Sequence, residues 1–273
     1  MKFLKGLFHV LIIIILTIVT QVGGVIWIIV FAFFKWCKPE WSLWKRLCVF
    51  CVVYIFTVFT IIPTAASIDN RRMLPVFHET IQPHNLGYVF LCRNYVKGDL
   101  YNVIKDVSAV YKESPYLGTK LVYLDAGFPF IDGFPLLPHL SHNDGRKVDV
   151  AFVYNEASGT SSHNSHPSLI GYGIYEGPQG NEVNQTQICE DAGYWQYGYA
   201  GALGININHE LELNKRETKL LTERIQSHHK VEKVFIEPHL ITRLGIKNIN
   251  FKLRFHGCHA VRHDDHIHFQ VDR

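Results

Sequence analysis

Near its C-terminus the chain reads Arg262-His263-Asp264-Asp265-His266-Ile267-His268-Phe269-Gln270-Val271. Read as a strand, this stretch puts His266, His268 and Gln270 on one face and Ile267, Phe269 and Val271 on the other, because side chains alternate with period two. Two imidazoles then project together from a strand whose opposite face is anchored in a core. Upstream, Pro138-His139-Leu140-Ser141-His142-Asn143-Asp144-Gly145-Arg146-Lys147-Val148-Asp149 supplies the complement. Asp149 begins a second strand whose Val148, Val150 and Phe152 share the opposite face, and Gly145 permits the turn before it. In a chain with 16 His, pairs such as His163/His166 and His256/His259 arise easily. The alternation and the matching His/Asp segment set His266/His268 apart from them.

Two histidines and one aspartate are a ligand set suited to a catalytic zinc, which commonly takes three nitrogen or oxygen ligands and keeps its fourth position for water. Outward from these segments, short β-rich runs at 121–125, 148–154, 231–236 and 267–271 alternate irregularly with two helical patterns. One helix carries Leu100, Val103, Ile104, Val107 and Val110 at helical spacing with Asp99 as its cap. The other, around 214–229, carries Leu220, Leu221 and Ile225. This order is that of an α+β domain. The segment 155–167, rich in Ser, Asn and Gly, reads as a surface loop, and the aromatic run Tyr194-Trp195-Gln196-Tyr197-Gly198-Tyr199 reads as packing in preference to a groove wall. His256, Cys258 and His259 read as a loop with incidental polar residues, ahead of the alternative of a second metal site.

Composition changes sharply toward the N-terminus. The chain is 48% hydrophobic and 19% charged, and the apolar residues concentrate in runs 7–34 and 47–66, each long enough for a bilayer core of roughly 30 Å. Residues 1–66 are therefore expected to form a membrane anchor of two transmembrane helices, 67–84 a linker, and 85–273 the zinc-binding domain. Lys35, Lys38, Lys45 and Arg46 lie between the runs, which favours that loop inside and the C-terminal domain on the extracytoplasmic side. Taken as one span, the first run would leave the N-terminus outside as well. Cys37, Cys48 and Cys51 belong to the anchor, and Cys92, Cys189 and Cys258 to the domain, with one disulfide or none both open. A formal net charge of +3 gives no reason to expect a nucleic-acid partner. Asn184-Gln185-Thr186 fits a glycosylation acceptor. Nothing in the sequence sets the oligomeric state.

His142, a gap of six residues, Asp149, and the distant pair His266-Ile267-His268 together resemble the zinc peptidases grouped with lysostaphin, the D-Ala-D-Ala peptidases and the hedgehog signalling domain. His139, the string from His263 to His268, and Val234-Phe235-Ile236-Glu237-Pro238 are most similar to the penicillin-insensitive murein endopeptidases within that group. The resemblance spans about residues 85–273. It implies a small antiparallel sheet flanked by helices, with zinc held on the sheet face by His142, Asp149 and His268. It also implies that His266 orients or deprotonates the zinc-bound water, with Asp265 the competing base, and that His139 and His263 contact substrate or hydrogen-bond the transition state. The implied substrate is the peptide cross-link of peptidoglycan. A D-Ala-D-Ala carboxypeptidase, an amidase of the same fold, and a non-catalytic zinc-containing binding module are the alternatives.

Overall fold

The computed structural model describes residues 2–38, 40–113, 118–156 and 164–272. The expected surface loop lies largely outside these, and His163 with it. The chain is a mixed α/β protein preceded by apolar helices. Its main sheet has six strands in the order β2 (Ile81–Pro83), β4 (Leu121–Tyr123), β5 (Lys147–Ala151), β10 (His266–Val271), β8 (Val231–Phe235) and β9 (Leu253–Arg254). The four central strands are antiparallel, as expected, but each edge is parallel: β2 runs with β4, and β9 with β8. The sheet is therefore mixed.

The period-two reading of β10 holds. Ile267 and Phe269 are fully buried and Val271 nearly so. They pack with Val148, Val150 and Val234 against helices α6 (Gly98–Ser108) and α8 (Lys215–Ser227), through Leu100, Val103, Ile104, Leu221 and Ile225. Each fully buried side chain of this size stabilises the fold by roughly 1.5–3 kcal/mol. With one face committed to that core, β10 cannot slip by one residue without turning its histidines inward, so the register that presents them is fixed. Asn214 caps α8 by accepting from the Glu217 amide. Asp99, expected as the cap of α6, instead lies in its first turn, where the helix dipole favours a carboxylate, and it pairs with Lys230.

Residues 67–84 are not a free linker. Strand β1 (Arg71–Met73) pairs with β3 (Tyr95–Lys97), and β2 forms an edge of the main sheet. Arg71 makes this segment look solvent-exposed in sequence, yet its guanidinium is buried, donating to the Phe128 carbonyl at 2.6 Å and pairing with Asp132. Gly145 has φ +69, and a Cβ there would meet the Arg71 guanidinium at 2.7 Å, so the turn before β5 needs glycine for both reasons. Helices α5 (Leu86–Phe90), α7 (Gln185–Asp191) and α9 (Pro238–Leu244) and the small β6 (Tyr154–Glu156)/β7 (Leu211–Leu213) pair complete the domain.

The first apolar run is two helices, not one. Helix α1 (Lys2–Thr20) ends at Gln21, which has φ 66, and α2 (Gly23–Cys37) folds back along it. A Cβ on Gly24 would lie 2.0 Å from Thr17 Oγ1 and 2.7 Å from the Ile13 carbonyl, so the glycine pair allows the close approach. Helices α3 (Leu43–Phe59) and α4 (Ile61–Ala66) then lead to the domain. Segments Phe3–Thr20 and Leu43–Asp69 are long and apolar enough to cross a membrane, while Gly23–Cys37 is apolar but shorter. Phe3, Leu7, Ile14, Ile29, Phe33 and Val52 all point outward. The Gln21 side chain accepts from the Phe130 amide at 2.8 Å, tying the α1–α2 tip to the domain.

Candidate metal centre

Three elements bring the expected ligands together. In the β5–β10 pairing His268 sits directly opposite Asp149, so one sheet face juxtaposes an imidazole and a carboxylate that are 119 positions apart in sequence. His142 arrives from the connection between β4 and β5, where its Nδ1 donates to the Ala126 carbonyl at 3.0 Å. That bond fixes the tautomer and turns the Nε2 lone pair toward the other two groups. His142 Nε2 lies 3.1 Å from His268 Nδ1 and 3.2 Å from Asp149 Oδ1, and His268 Nδ1 lies 2.8 Å from the same oxygen. Ligands about 2.0–2.1 Å from a tetrahedral zinc stand roughly 3.3 Å apart. The three donors, all buried, are close to that spacing and could hold a metal ion.

The second oxygen of Asp149 is also held. Asp149 Oδ2 accepts from the Tyr172 hydroxyl at 2.8 Å, and that hydroxyl in turn accepts from the Asp125 amide at 3.0 Å. Burial would raise the Asp149 carboxyl, but the His142 and His266 imidazoles outweigh it and hold the group well below the usual carboxylate range. Burial pushes His268 down to about 4, leaving it neutral and able to ligate near pH 7.

His266 stands beside the three. Its Nδ1 bonds Asp265 Oδ1 at 2.5 Å, and its Nε2 lies 3.6 Å from Asp149 Oδ1. Asp265 Oδ2 accepts from the Gly173 amide at 2.6 Å. Both oxygens of Asp265 are thus engaged in aiming His266. Burial alone would lower His266, yet Asp149 and Asp265 push it up to about 9.

His139 bonds Asp125 Oδ2 through Nδ1 at 2.7 Å, and Asp125 is also gripped by both forks of Arg93 at 2.6 Å. Despite its burial, Asp125 is lowered to about 2 by Arg93 and His139. Together, His139 and His266 form the wall between two clefts. One, of 380 Å³, continues past His142 and His268 toward His256 and His259. The other, of 340 Å³, is bounded by Tyr88, Ile170, Tyr172 and Tyr175.

His263 packs at a tilt against His256, with ring centroids 4.0 Å apart, and its ring lies 4.9 Å from that of His266. Asp264 turns away from the cluster to pair with Arg262. Of the loop residues His256, Cys258 and His259, the second forms a disulfide with Cys189 and the third is exposed against Tyr194. Cys92 is left as a buried thiol. Only His256 turns inward, to meet Glu237 and His263.

Arg93, Asp125, Tyr172 and Gly173 were not legible as site residues. Asp125, an acid ending the apolar strand pattern at 121–125, was the clearest available signal. Tyr172 and Gly173 lie upstream of the aromatic run 194–199, in a stretch without a strand or helix pattern, and build the site from a loop. Asn184 is exposed and caps α7 by accepting from the Gln187 amide. Set against known proteins, the chain matches no family model and has no significant match among curated proteins.

Proposed function

We propose that this chain is a membrane-anchored zinc peptidase that hydrolyses peptide cross-links of peptidoglycan in the manner of a murein D,D-endopeptidase. The observation that carries the reading is a third imidazole, His266, which the three-donor cluster of two histidines and an aspartate does not need as a ligand. Asp265 aims it at the atoms where the ligands converge.

His142, Asp149 and His268 would hold the metal. When bound there, zinc supplies a Lewis acid for the scissile carbonyl and lowers the pKa of its water to roughly 7. His266, hydrogen-bonded through Nδ1, offers Nε2 to accept a proton from the attacking water and return it to the leaving amine. Ligation neutralises part of the Asp149 charge, which removes an attraction that keeps His266 protonated. His139, oriented by Asp125, faces both clefts and is placed to hydrogen-bond the substrate backbone. His263 lines the cleft on the other side of His266.

The helical hairpin supports an extracytoplasmic domain. Because α1 and α2 meet the domain at Gln21, the N-terminus with Lys2 and Lys5 lies at the same far end as Lys35, Lys38, Lys45 and Arg46. Those basic residues belong on the cytoplasmic side.

The test uses the full chain in detergent, since β1, β2 and the hairpin tip are integral to the domain. Cross-linked peptidoglycan is incubated with the protein, with and without chelator, and the fragments are separated by mass. Chelator-sensitive conversion of cross-linked dimers to monomers is expected. Release of terminal D-Ala alone would make the protein a carboxypeptidase, and freed glycan strands with intact stem peptides would make it an amidase. Bound zinc without any cleavage would leave a binding module.

A further inference from the structure

Beside the first cluster, along the same 380 Å³ cleft, lies a second group of potential ligands. Phe235 stands 5.2 Å from the His268 ring and 5.8 Å from each of His256 and His263. Glu237, His256 and His263 each present one ligand atom, and these atoms lie within 4.8 Å of one another. Glu237 ends the stretch after β8, and the two histidines come from the β9–β10 connection. The Glu237 amide donates to the His263 carbonyl at 3.0 Å, and the His263 amide donates to Glu237 Oε1, also at 3.0 Å. The Tyr197 hydroxyl donates to the same oxygen at 2.6 Å.

The other atoms of the group are different. Glu237 Oε2, both ring nitrogens of His256, and His263 Nδ1 are buried without a hydrogen-bond partner among the described residues. Buried polar side-chain atoms nearly always have one, so four orphans on three adjoining residues call for an explanation. A single bridging water has two hydrogens to donate, so it can satisfy at most two lone-pair acceptors. Here the convergent atoms are lone-pair donors of a carboxylate and two imidazoles, which is the complement of a cation. Two histidines and a glutamate also form a zinc ligand set that leaves a further position open.

We propose that Glu237, His256 and His263 bind a second divalent metal ion of the zinc class, distinct from the one assigned to His142, Asp149 and His268. The ion ties the β9–β10 connection to the end of β8, and so fixes the wall formed by His256 and His263 in the 380 Å³ cleft. The Cys189–Cys258 disulfide anchors that connection two residues beyond His256 and presents the histidine. The proposal does not require the first group to cleave peptides.

The full chain in detergent is stripped with chelator and titrated with Co(II) alone, then with Zn(II) alone. Visible absorption follows cobalt and elemental analysis follows both metals. Two equivalents per chain are expected for the native protein. One equivalent is expected for His256→Ala and for Glu237→Gln, which keeps an acceptor for Tyr197. One is also expected for Asp149→Ala, and none for Asp149→Ala combined with His256→Ala. Thermal melts of the stripped proteins confirm that each variant folds. Reducing the disulfide should weaken the second equivalent about 10–100-fold, the scale of losing a ligand's support, and leave the first unchanged. A single equivalent in the native protein that survives His256→Ala overturns the proposal. Two equivalents that survive both His256→Ala and Glu237→Gln place the second ion elsewhere and overturn it as well. Two equivalents that survive Asp149→Ala count against the first site only.

Discussion

The two His/carboxylate groups of this protein use the same kinds of side chain but are built to different degrees. In the first, the outer atoms of two ligands and of the neighbouring base are occupied: His142 Nδ1 by the Ala126 carbonyl, Asp149 Oδ2 by Tyr172, and His266 Nδ1 by Asp265. Its donor atoms already stand 2.8–3.2 Å apart. In the second, one glutamate oxygen is held while its other oxygen and three imidazole nitrogens have no partner among the described residues. A pre-organised shell loses little freedom on binding, whereas a loose one must order itself at that moment. The contrast implies a tight first site and a weaker, more readily stripped second one.

The largest effect expected is from breaking the first group. His142→Ala or Asp149→Ala should abolish both its zinc equivalent and turnover, measured by elemental analysis and dimer cleavage. Next is His266→Ala, which should keep that zinc while lowering kcat by about 10²–10⁴-fold, the usual contribution of a positioned acid–base group. Equal metal loss in His266→Ala and in the ligand variants would sink the division between ligand and base. Tyr172→Phe removes the bond to Asp149 Oδ2 together with the bond accepted from the Asp125 amide. It should weaken zinc at the first site by about 10–100-fold, read by competition with a chromophoric chelator, and leave the Glu237 group untouched. An unchanged affinity would mean that the hydroxyl serves packing alone.

The smallest effect is on stability of the metal-free protein. Burial lowers His166 to about 3, and His256 and His268 to about 4. The unfolded chain binds protons at these histidines near their ordinary value of about 6.5. Their contribution is therefore full above that pH and is lost as pH falls from 6.5 toward 4. His266, raised to about 9, acts in the opposite sense: its contribution is present below pH 6.5 and lost as pH rises toward 9. Thermal melts of the stripped protein should thus decline on both sides of pH 6.5. His256→Gln should make the acid limb shallower, His166 and His268 still contributing, and leave the alkaline one, whereas an acid limb identical to the native protein's would show that His256 is not buried neutral.

Much of the first group was legible because it rests on local periodicity. The alternation in His266–Val271 commits one face to the core, and the same rule applies to Val148, Asp149 and Val150. The membrane-compatible composition of the N-terminal region was equally plain, as was helix α8. The segment 67–84 reads as a linker because Arg71, Pro75 and Pro83 signal exposure. That guanidinium is buried only because Phe128 and Asp132, some 60 residues on, receive it. The reversal at Gln21 was missed for a related reason. Gly23-Gly24 marks a close approach, but the sequence does not say which backbone approaches.

The sequence by itself determined which side chains share a face, since period and polarity are properties of neighbours along the chain. It also determined that two imidazoles and a carboxylate would leave the sheet on the side opposite the core. The tertiary structure alone decided which strands become neighbours, and so set His268 opposite Asp149. It alone carried Tyr172, Asp125 and Gly173 to the outer atoms of that cluster, and brought Glu237 to His256 and His263. Such contacts depend on the closure of long loops, whose small dependence on length leaves no periodic trace in the residues that meet.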